Sequence, residues 1–239
     1  MRFDEYNKLS LGVDCVILST GLHQQKTNRN TACRCIQVLL LKRNITPYEN
    51  MWSIPGGLVE DDKGLLETLD SKLFKKTSIH NIFKKQFHTY GDDVYRDPRG
   101  RVVSVAYMAL GPKETFAELK DSGYGEVKWF WAFVNSQDEL IIRDPDTGLL
   151  IENLAFDHKK ILKDALLELR RCTEVGDMAI QLMPEKFTVR ELQDVYEDVC
   201  GRELNNFRRI ADRIAVETDE IDTGKAHRPA KLYKRRDNT

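Results

Sequence analysis

Three lysines share one face of a short helix that follows a glycine turn. The turn is Gly56-Gly57, and Lys72, Lys75 and Lys76 lie at positions i, i+3 and i+4, which point to the same side of an α-helix. Ammonium groups have no lone pair with which to bind a metal ion. They either hold a phosphate-bearing or sugar-bearing ligand directly, or form a solvated face near the C-terminal end of the helix.

The segment that begins at Trp52 and passes through Gly57 into this helix resembles the Nudix signature. In that signature, glutamates at the three lysine positions bind divalent metal against a diphosphate. Here Lys63, Ser71 and Ser78 also replace the first glutamate, the arginine and the late glycine of the signature. The resemblance therefore implies a Nudix-like domain that is not an enzyme and binds neither metal nor cofactor.

A charged turn, residues 96–101, precedes a strand further along the chain. Asp-Pro-Arg-Gly is ordinary turn chemistry, but arginines beside a glycine-lined pocket also suit recognition of phosphate or hydroxyl-rich ligands. We expect the effector pocket to be lined by Arg43, Trp52, Gly56, Gly57, Lys72, Lys76, Asp97, Arg99 and Arg101.

The C-terminal part reads as a helix-turn-helix. Thr188 and Glu191 have the spacing of a capping box, and Gly201 suits the left-handed position that ends the helix. After a turn, a second helix is predicted over 206–216, with its arginines on the exposed side. Such a helix fits the major groove of DNA. The arginines in question are Arg208, Arg209 and Arg213.

Basic residues are concentrated near the end of the chain. The formal net charge of the whole chain is -1, whereas residues 201–239 carry ten Lys or Arg and seven Asp or Glu, a net charge of +3. The excess of basic residues follows an acidic hairpin at 217–222. This basic segment is either a solvated tail or a wing that contacts phosphates. The predicted DNA-binding residues are Thr188, Arg190, Asn205, Asn206, Arg208, Arg209, Arg213, His227, Arg228 and Lys231.

Hydrophobic periodicity predicts the remaining elements. The first half reads as a strand framework with one helix, and a second amphipathic helix connects it to the helical C-terminal part. A polar loop over 20–30 separates the first two strands. The predicted strands are 11–18, 33–43, 52–59, 101–110 and 126–133, and the predicted helices are 65–77, 156–171 and 178–182.

Composition limits the alternatives. A chain of 239 residues with 41% hydrophobic residues is long enough for two folded domains. Its five cysteines are scattered, so they predict no structural zinc and are either small buried residues or, for the pair Cys33 and Cys35, redox sensors. With no apolar run of roughly 20 residues and no leader pattern, we expect a cytoplasmic protein without membrane association.

Several segments together are similar to the Nudix-related transcriptional regulator family, the NrtR-like proteins. They include Phe156-Asp157-His158, Leu182-Met183-Pro184, Asn206-Phe207-Arg208-Arg209 and the run from Arg228 to Tyr233, in which His227 replaces the usual preceding glycine. The resemblance implies a homodimer on a palindromic double-stranded operator. Its implied effector is an NAD-related nucleotide such as ADP-ribose, or a sugar.

The sequence thus predicts an α+β protein. Residues 1–155 are expected to form a Nudix-like α/β/α sandwich with a mixed sheet, 156–174 a connecting helix, and 175–239 a winged helix-turn-helix. The predicted function is transcriptional regulation, as repressor or activator. Two alternatives remain at this point: an active hydrolase of a nucleoside diphosphate derivative that recruits acids from outside the signature, and a pseudoenzyme scaffold.

Overall fold

A computed structural model describes residues 8–24, 32–77, 82–116, 125–223 and 229–236 of the chain. None of its helices is both long and apolar enough to cross a membrane. The strands are β1 (Ser10–Gln24), β2 (Ala32–Lys42), β3 (Trp52–Ser53), β4 (Gly56–Leu58), β5 (Phe83–Tyr90), β6 (Val102–Leu110), β7 (Val127–Val134), β8 (Leu140–Arg143), β9 (Phe187–Thr188), β10 (Ala215–Asp222) and β11 (Ala230–Arg235), and the helices are α1 (Leu65–Thr77), α2 (His158–Val175), α3 (Val189–Cys200) and α4 (Arg208–Ile214).

The N-terminal part is a mixed sheet with one helix on each face. The strand order is β5-β6-β1-β2-β7-β8, and β1 runs parallel to β6 while the other pairs are antiparallel. Alternate residues of β1 enter separate cores, because Cys15 and Ile17 cluster with α1 whereas Val16 and Leu18 cluster with α2. The predicted α/β/α sandwich with a mixed sheet is confirmed.

One predicted boundary in this part is wrong, and two strands were not predicted. The polar loop was predicted to begin too early in the chain, because β1 continues to Gln24 and its last residues pair with the start of β2. The edge strands β5 and β8 were not predicted. β5 reads FKKQFHTY and alternates poorly, and β8 contains only four residues, so neither has a period-2 signal strong enough to find.

The C-terminal part is a winged helix. The capping box is present, with the Thr188 hydroxyl accepting from Glu191 N at 3.2 Å, and Gly201 ends α3 at φ 67°. The predicted second helix is too long. Asn206 adopts a left-handed φ of 56°, so α4 starts only at Arg208, and Ala215 already belongs to β10. The expected acidic hairpin at 217–222 lies in β10, which pairs with β11 to form the wing.

Helix α3 packs directly against strand β2 of the large sheet. Ile36 N donates to Asp198 Oδ2 at 2.6 Å, and Arg34 pairs with Glu191 at 3.5 Å. Val199 shares a narrow crevice with Ile36 and with Leu169 of α2. A single cluster of buried apolar side chains therefore continues from the sheet through α2 into the winged helix.

Asp198 should make this contact sensitive to pH. Burial raises the pKa of its carboxyl to about 6, although the hydrogen bonds from Ile36 N–H and the Cys35 thiol act to lower this pKa. Because the folded-state pKa is raised, the contribution of this carboxyl to the free energy of unfolding should be fully present below about pH 4 and be lost as pH rises through about 6. Asp198→Asn should abolish this part of the pH dependence and preserve stability at pH 7.5.

Asp198→Ala should instead cost about 1–3 kcal/mol, because it leaves the buried Ile36 N–H without its acceptor. Chemical denaturation of both variants between pH 4 and 8 checks these expectations. The exposed Asp219→Asn is the control for a surface charge change. Equal destabilisation by Asn and Ala would show that the Ile36 hydrogen bond needs the ionised carboxylate.

Candidate functional site

A cavity of about 230 Å³ opens at one end of the large sheet, where β1, β4 and β6 meet the start of α2. Its wall combines charged groups, the glycines of the turn and a few apolar side chains. The lining residues are Gly12, Asp14, Arg43, Ile45, Ser53, Ile54, Gly56, Gly57, Leu58, Arg96, Asp97, Arg99, Val102, Ser104, Phe156 and His158.

A hydrogen-bonded network of buried charged groups forms the floor of the cavity. Arg96 donates to both carboxylate oxygens of Asp157, at 2.9 and 2.7 Å, and reaches Asp14 Oδ2 at 3.4 Å. Ser104 Oγ donates to the same Asp14 oxygen at 2.6 Å. Burial alone would lower the pKa of the Arg96 guanidinium, but the two carboxylates raise it. Arg96 is therefore a fixed cation that ties the sheet to the residue preceding α2.

His158, the first residue of α2, completes the floor. Its Nδ1 accepts from Ile54 N at 3.1 Å, and its Nε2 lies 3.7 Å from Asp14 Oδ1. Burial lowers its pKa. The imidazole is therefore neutral, and since Nδ1 is the acceptor, the proton is on Nε2 and faces the cavity floor.

The rim of the cavity carries two guanidinium groups around one aromatic ring. The guanidinium carbons of Arg43 and Arg99 lie 4.9 and 5.3 Å from the centre of the Phe156 ring. Arg99 is held by a bidentate pair to Asp97 at 2.9 and 2.7 Å, which lowers the pKa of Asp97. Burial and the adjacent Arg99 cation lower the pKa of Arg43. Two like charges held this close favour a bound anion.

Gly56 allows β4 to approach the floor closely. A Cβ at this position would lie 2.4 Å from Asp14 Oδ1 and 2.6 Å from Val13 O, well inside van der Waals contact. At Gly57, a Cβ would meet the aliphatic chain of Lys72 at 3.2 to 3.5 Å. The glycine turn therefore exists to bring backbone against the Asp14 carboxylate.

Five of the nine predicted effector residues line the cavity: Arg43, Gly56, Gly57, Asp97 and Arg99. Trp52, Lys72 and Arg101 do not appear in its wall. The Trp52 ring packs on Phe130 at 4.7 Å, Lys72 is paired with Glu60 at 2.7 Å, and the exposed Arg101 contacts the Asp93 carbonyl at 3.5 Å. The Lys76 side chain lies outside the described residues.

Asp14, Arg96, Ser104, Phe156 and His158 were not among the predicted effector residues. Asp14 carried a readable signal, since it is the one charged residue in the apolar run LGVDCVIL, and a charge in a buried strand requires partners. The others become neighbours only through the parallel pairing of β1 with β6 and the docking of α2.

Two lysines of the altered Nudix signature are held by a carboxylate outside its consensus positions. Glu60 pairs with both Lys63 and Lys72, and these hydrogen bonds lower the pKa of Glu60 to about 2. Lys75 is exposed. Among the described residues, no group of three or more His, Cys, Asp or Glu side chains could hold a metal ion.

Helix α4 presents a basic surface beside the wing. Arg208, Arg209 and Arg213 are exposed, as the sequence predicted, while Phe207 and Ile214 are buried beneath them. The Arg208 guanidinium is held in one orientation by the wing, because it donates a hydrogen bond to Tyr233 Oη at 2.8 Å.

The remaining predicted DNA-binding residues have varied positions. Asn205 and Asn206 are exposed in the turn before α4, Arg190 pairs with Asp194 at 2.9 Å, and Lys231 pairs with Glu217. Thr188 is buried with its hydroxyl engaged in the cap, so its side chain does not point outward. His227 and Arg228 lie outside the described residues.

Known proteins resemble both parts of this chain. Residues 179–234 match the family model of the NrtR DNA-binding winged helix domain. The NUDIX domain of Shewanella oneidensis NrtR, crystallised with ADP ribose, has a TM-score of 0.51 and 26% identity over 71% of this chain and 94% of its own. NrtR from the same organism, crystallised with a 27mer DNA, matches with a TM-score of 0.69 and 27% identity over 95% of this chain and 93% of its own.

A curated relative extends the match in sequence. The ADPR responsive transcriptional repressor NtrR of Acinetobacter baylyi is 34% identical over 206 residues, which are 83% of this chain and 75% of the relative. The identity and coverage of this match, with the matched winged-helix model, establish that the chain belongs to the NrtR family.

Proposed function

We propose that this protein is a DNA-binding transcriptional regulator, most simply a repressor, whose cavity binds ADP-ribose or a closely related nucleotide without hydrolysing it. The observation that carries the proposal is the placement of Arg43 and Arg99 at the rim of a cavity that is joined structurally to the winged helix. Relatives support both halves: one is an ADPR responsive repressor, and NrtR structures hold DNA or ADP ribose. A pentose sugar is the alternative effector.

Two elements run from the cavity to the winged helix. Strand β2 leads from Arg43 to Ile36, about 23 Å at 3.3 Å per residue, and Ile36 is hydrogen bonded to Asp198 of α3. Helix α2 starts at the cavity with His158, and its Arg170 donates to Val199 O of α3 at 3.1 Å. A ligand that moves the rim or Arg96 therefore changes the position of α3.

Each part of the chain has a separate role in this proposal. Residues 1–155 hold the effector together with Phe156 and His158, which begin the connecting segment 156–174, and residues 175–239 bind a palindromic operator as part of a homodimer in the cytoplasm. Two winged helices at a fixed spacing match two half-sites, so a change in the position of α3 alters operator affinity through the dimer.

Catalysis is not part of the proposal. Lys72 and Lys75 stand at metal-binding positions of the Nudix signature, and Lys72 is already neutralised by Glu60. We expect no ADP-ribose hydrolysis above background with Mg²⁺ or Mn²⁺, and no change in ligand affinity on addition of EDTA. Metal-dependent release of AMP, followed chromatographically, would instead favour the hydrolase alternative.

Fluorescence anisotropy with DNA from upstream of the protein's own and neighbouring genes tests the proposal. Labelled duplexes are titrated with the full chain in the presence and absence of ADP-ribose, NAD, arabinose and ribose. Specific binding that one of these ligands weakens at least about tenfold, a coupling free energy of 1.4 kcal/mol, supports a ligand-responsive repressor. Absence of sequence-specific binding under every condition would reject it in favour of the scaffold alternative.

A further inference from the structure

We propose that the cavity floor reads sugar hydroxyl groups through Asp14, so that the effector enters with a ribosyl end first and leaves its phosphates at the rim. The inference rests on the proposed function and deepens it, since it assigns an orientation and a specificity-determining residue. Asp14 would discriminate between nucleotides that share a diphosphate but differ in a terminal sugar.

The charges of floor and rim are opposite in sign. The Asp14 carboxylate lines the floor beside the single guanidinium of Arg96, and that guanidinium is shared with a second carboxylate, Asp157, which does not itself line the cavity. At the rim, Arg43 and Arg99 face the single carboxylate of Asp97. A phosphate at the floor would be repelled by the excess carboxylate, whereas a phosphate at the rim would be attracted by the excess guanidinium. The anionic part of a ligand therefore belongs at the rim.

The floor instead presents a donor and an acceptor side by side. Asp14 Oδ2 is occupied by Ser104 and Arg96, whereas the nearest partner of Oδ1 among the described residues is His158 Nε2 at 3.7 Å. That distance is too long for a hydrogen bond. A hydroxyl group both donates and accepts, so one hydroxyl placed here could satisfy Asp14 Oδ1 and the His158 Nε2–H together.

The volume of the cavity is enough for only part of a nucleotide ligand. Its volume of about 230 Å³ lies below the roughly 300–1,000 Å³ of sites that enclose a whole drug-sized ligand. Only one end of a dinucleotide-like molecule can therefore be enclosed. The opposite charges of floor and rim decide which end it is, and at the floor the Gly56 backbone lies against the Asp14 carboxylate.

Isothermal titration of the full-length protein with ADP-ribose, ADP and ribose 5-phosphate tests the proposal. The wild type should bind ADP-ribose at least about tenfold more tightly than ADP. Asp14→Asn should weaken ADP-ribose and ribose 5-phosphate about 10- to 100-fold, the range of a hydrogen bond to a charged group. The same variant should leave ADP affinity unchanged or tighter, because a carboxylate charge has been removed.

Two further variants keep the test decisive. Ser104→Ala, which loosens Asp14 without removing its charge, should weaken ADP-ribose selectively by about three- to tenfold, and it replaces Asp14→Asn if that variant melts early. Arg43→Ala should weaken ADP-ribose and ADP alike. Equal wild-type affinity for ADP and ADP-ribose, or equal losses of both in Asp14→Asn, would overturn the assignment while the effector function stands. Binding of none of the three ligands would overturn both.

Discussion

Replacement of both Arg208 and Arg209 by alanine is expected to lower operator affinity about 100- to 1,000-fold. Both side chains are exposed at the first turn of α4, the end of a recognition helix that reaches base edges in the major groove. Each arginine that pairs with a guanine or a phosphate contributes about 1–3 kcal/mol. Arg208 is also oriented by Tyr233 at 2.8 Å, so its loss removes an ordered donor rather than a mobile one.

Anisotropy titrations at two salt concentrations measure this effect. The double variant should show a smaller dependence of affinity on salt, because fewer counterions are released from the DNA. Arg143→Ala removes one exposed arginine from β8 of the large sheet and should leave operator affinity within about twofold. If the α4 variant bound as tightly as Arg143→Ala, α4 would not be the recognition helix.

Replacement of Arg43 and Arg99 by alanine should uncouple the protein from its effector. Each guanidinium would lose a charge-assisted contact to the ligand phosphates, worth about 1.5–3 kcal/mol. Together they should weaken ADP-ribose binding by at least about 100-fold. Operator affinity without ligand should not change, because in the described part of the chain both arginines make their contacts around the cavity, with Pro47, Asp97 and Phe156. The variant is then a repressor that ADP-ribose no longer releases.

Calorimetry for ADP-ribose and anisotropy for the operator separate the two expectations. Arg101→Ala is the control: it removes one positive charge two residues from Arg99, but Arg101 is exposed and absent from the cavity wall. Its ADP-ribose affinity should stay within about threefold of wild type. A comparable loss in Arg101→Ala would mean that the general positive field, and not the rim, attracts the ligand.

Locally determined features were the ones that the sequence predicted well. Helix α1 has the predicted bounds, 65–77, because its leucines repeat at helical spacing. The capping box of α3 and the glycine that ends it depend on side chains within a few residues of the backbone groups they satisfy. Such signals survive without knowledge of the rest of the fold.

Features that depend on distant pairing were the ones that the sequence predicted poorly. Asp14, Ser104 and His158 lie more than fifty residues apart in the chain and meet only because β1 pairs with β6 and α2 covers the end of the sheet. The lysine-bearing helix suggested a ligand site from its own face, yet Lys72 is bound by Glu60. Of the arginines in the 96–101 turn, Arg96 and Arg99 lie in the cavity wall, whereas Arg101 lies outside it.

The continuous core that joins the sheet to the winged helix also governs what happens when the protein is damaged. Val199 of α3 is buried against Ile36 and Leu169, so a protease cut between the two parts would expose apolar surface on both fragments. Such a fragment would aggregate or be degraded before it could occupy the operator. The winged helix is therefore not expected to persist as an independent folded domain once it is separated from the sheet.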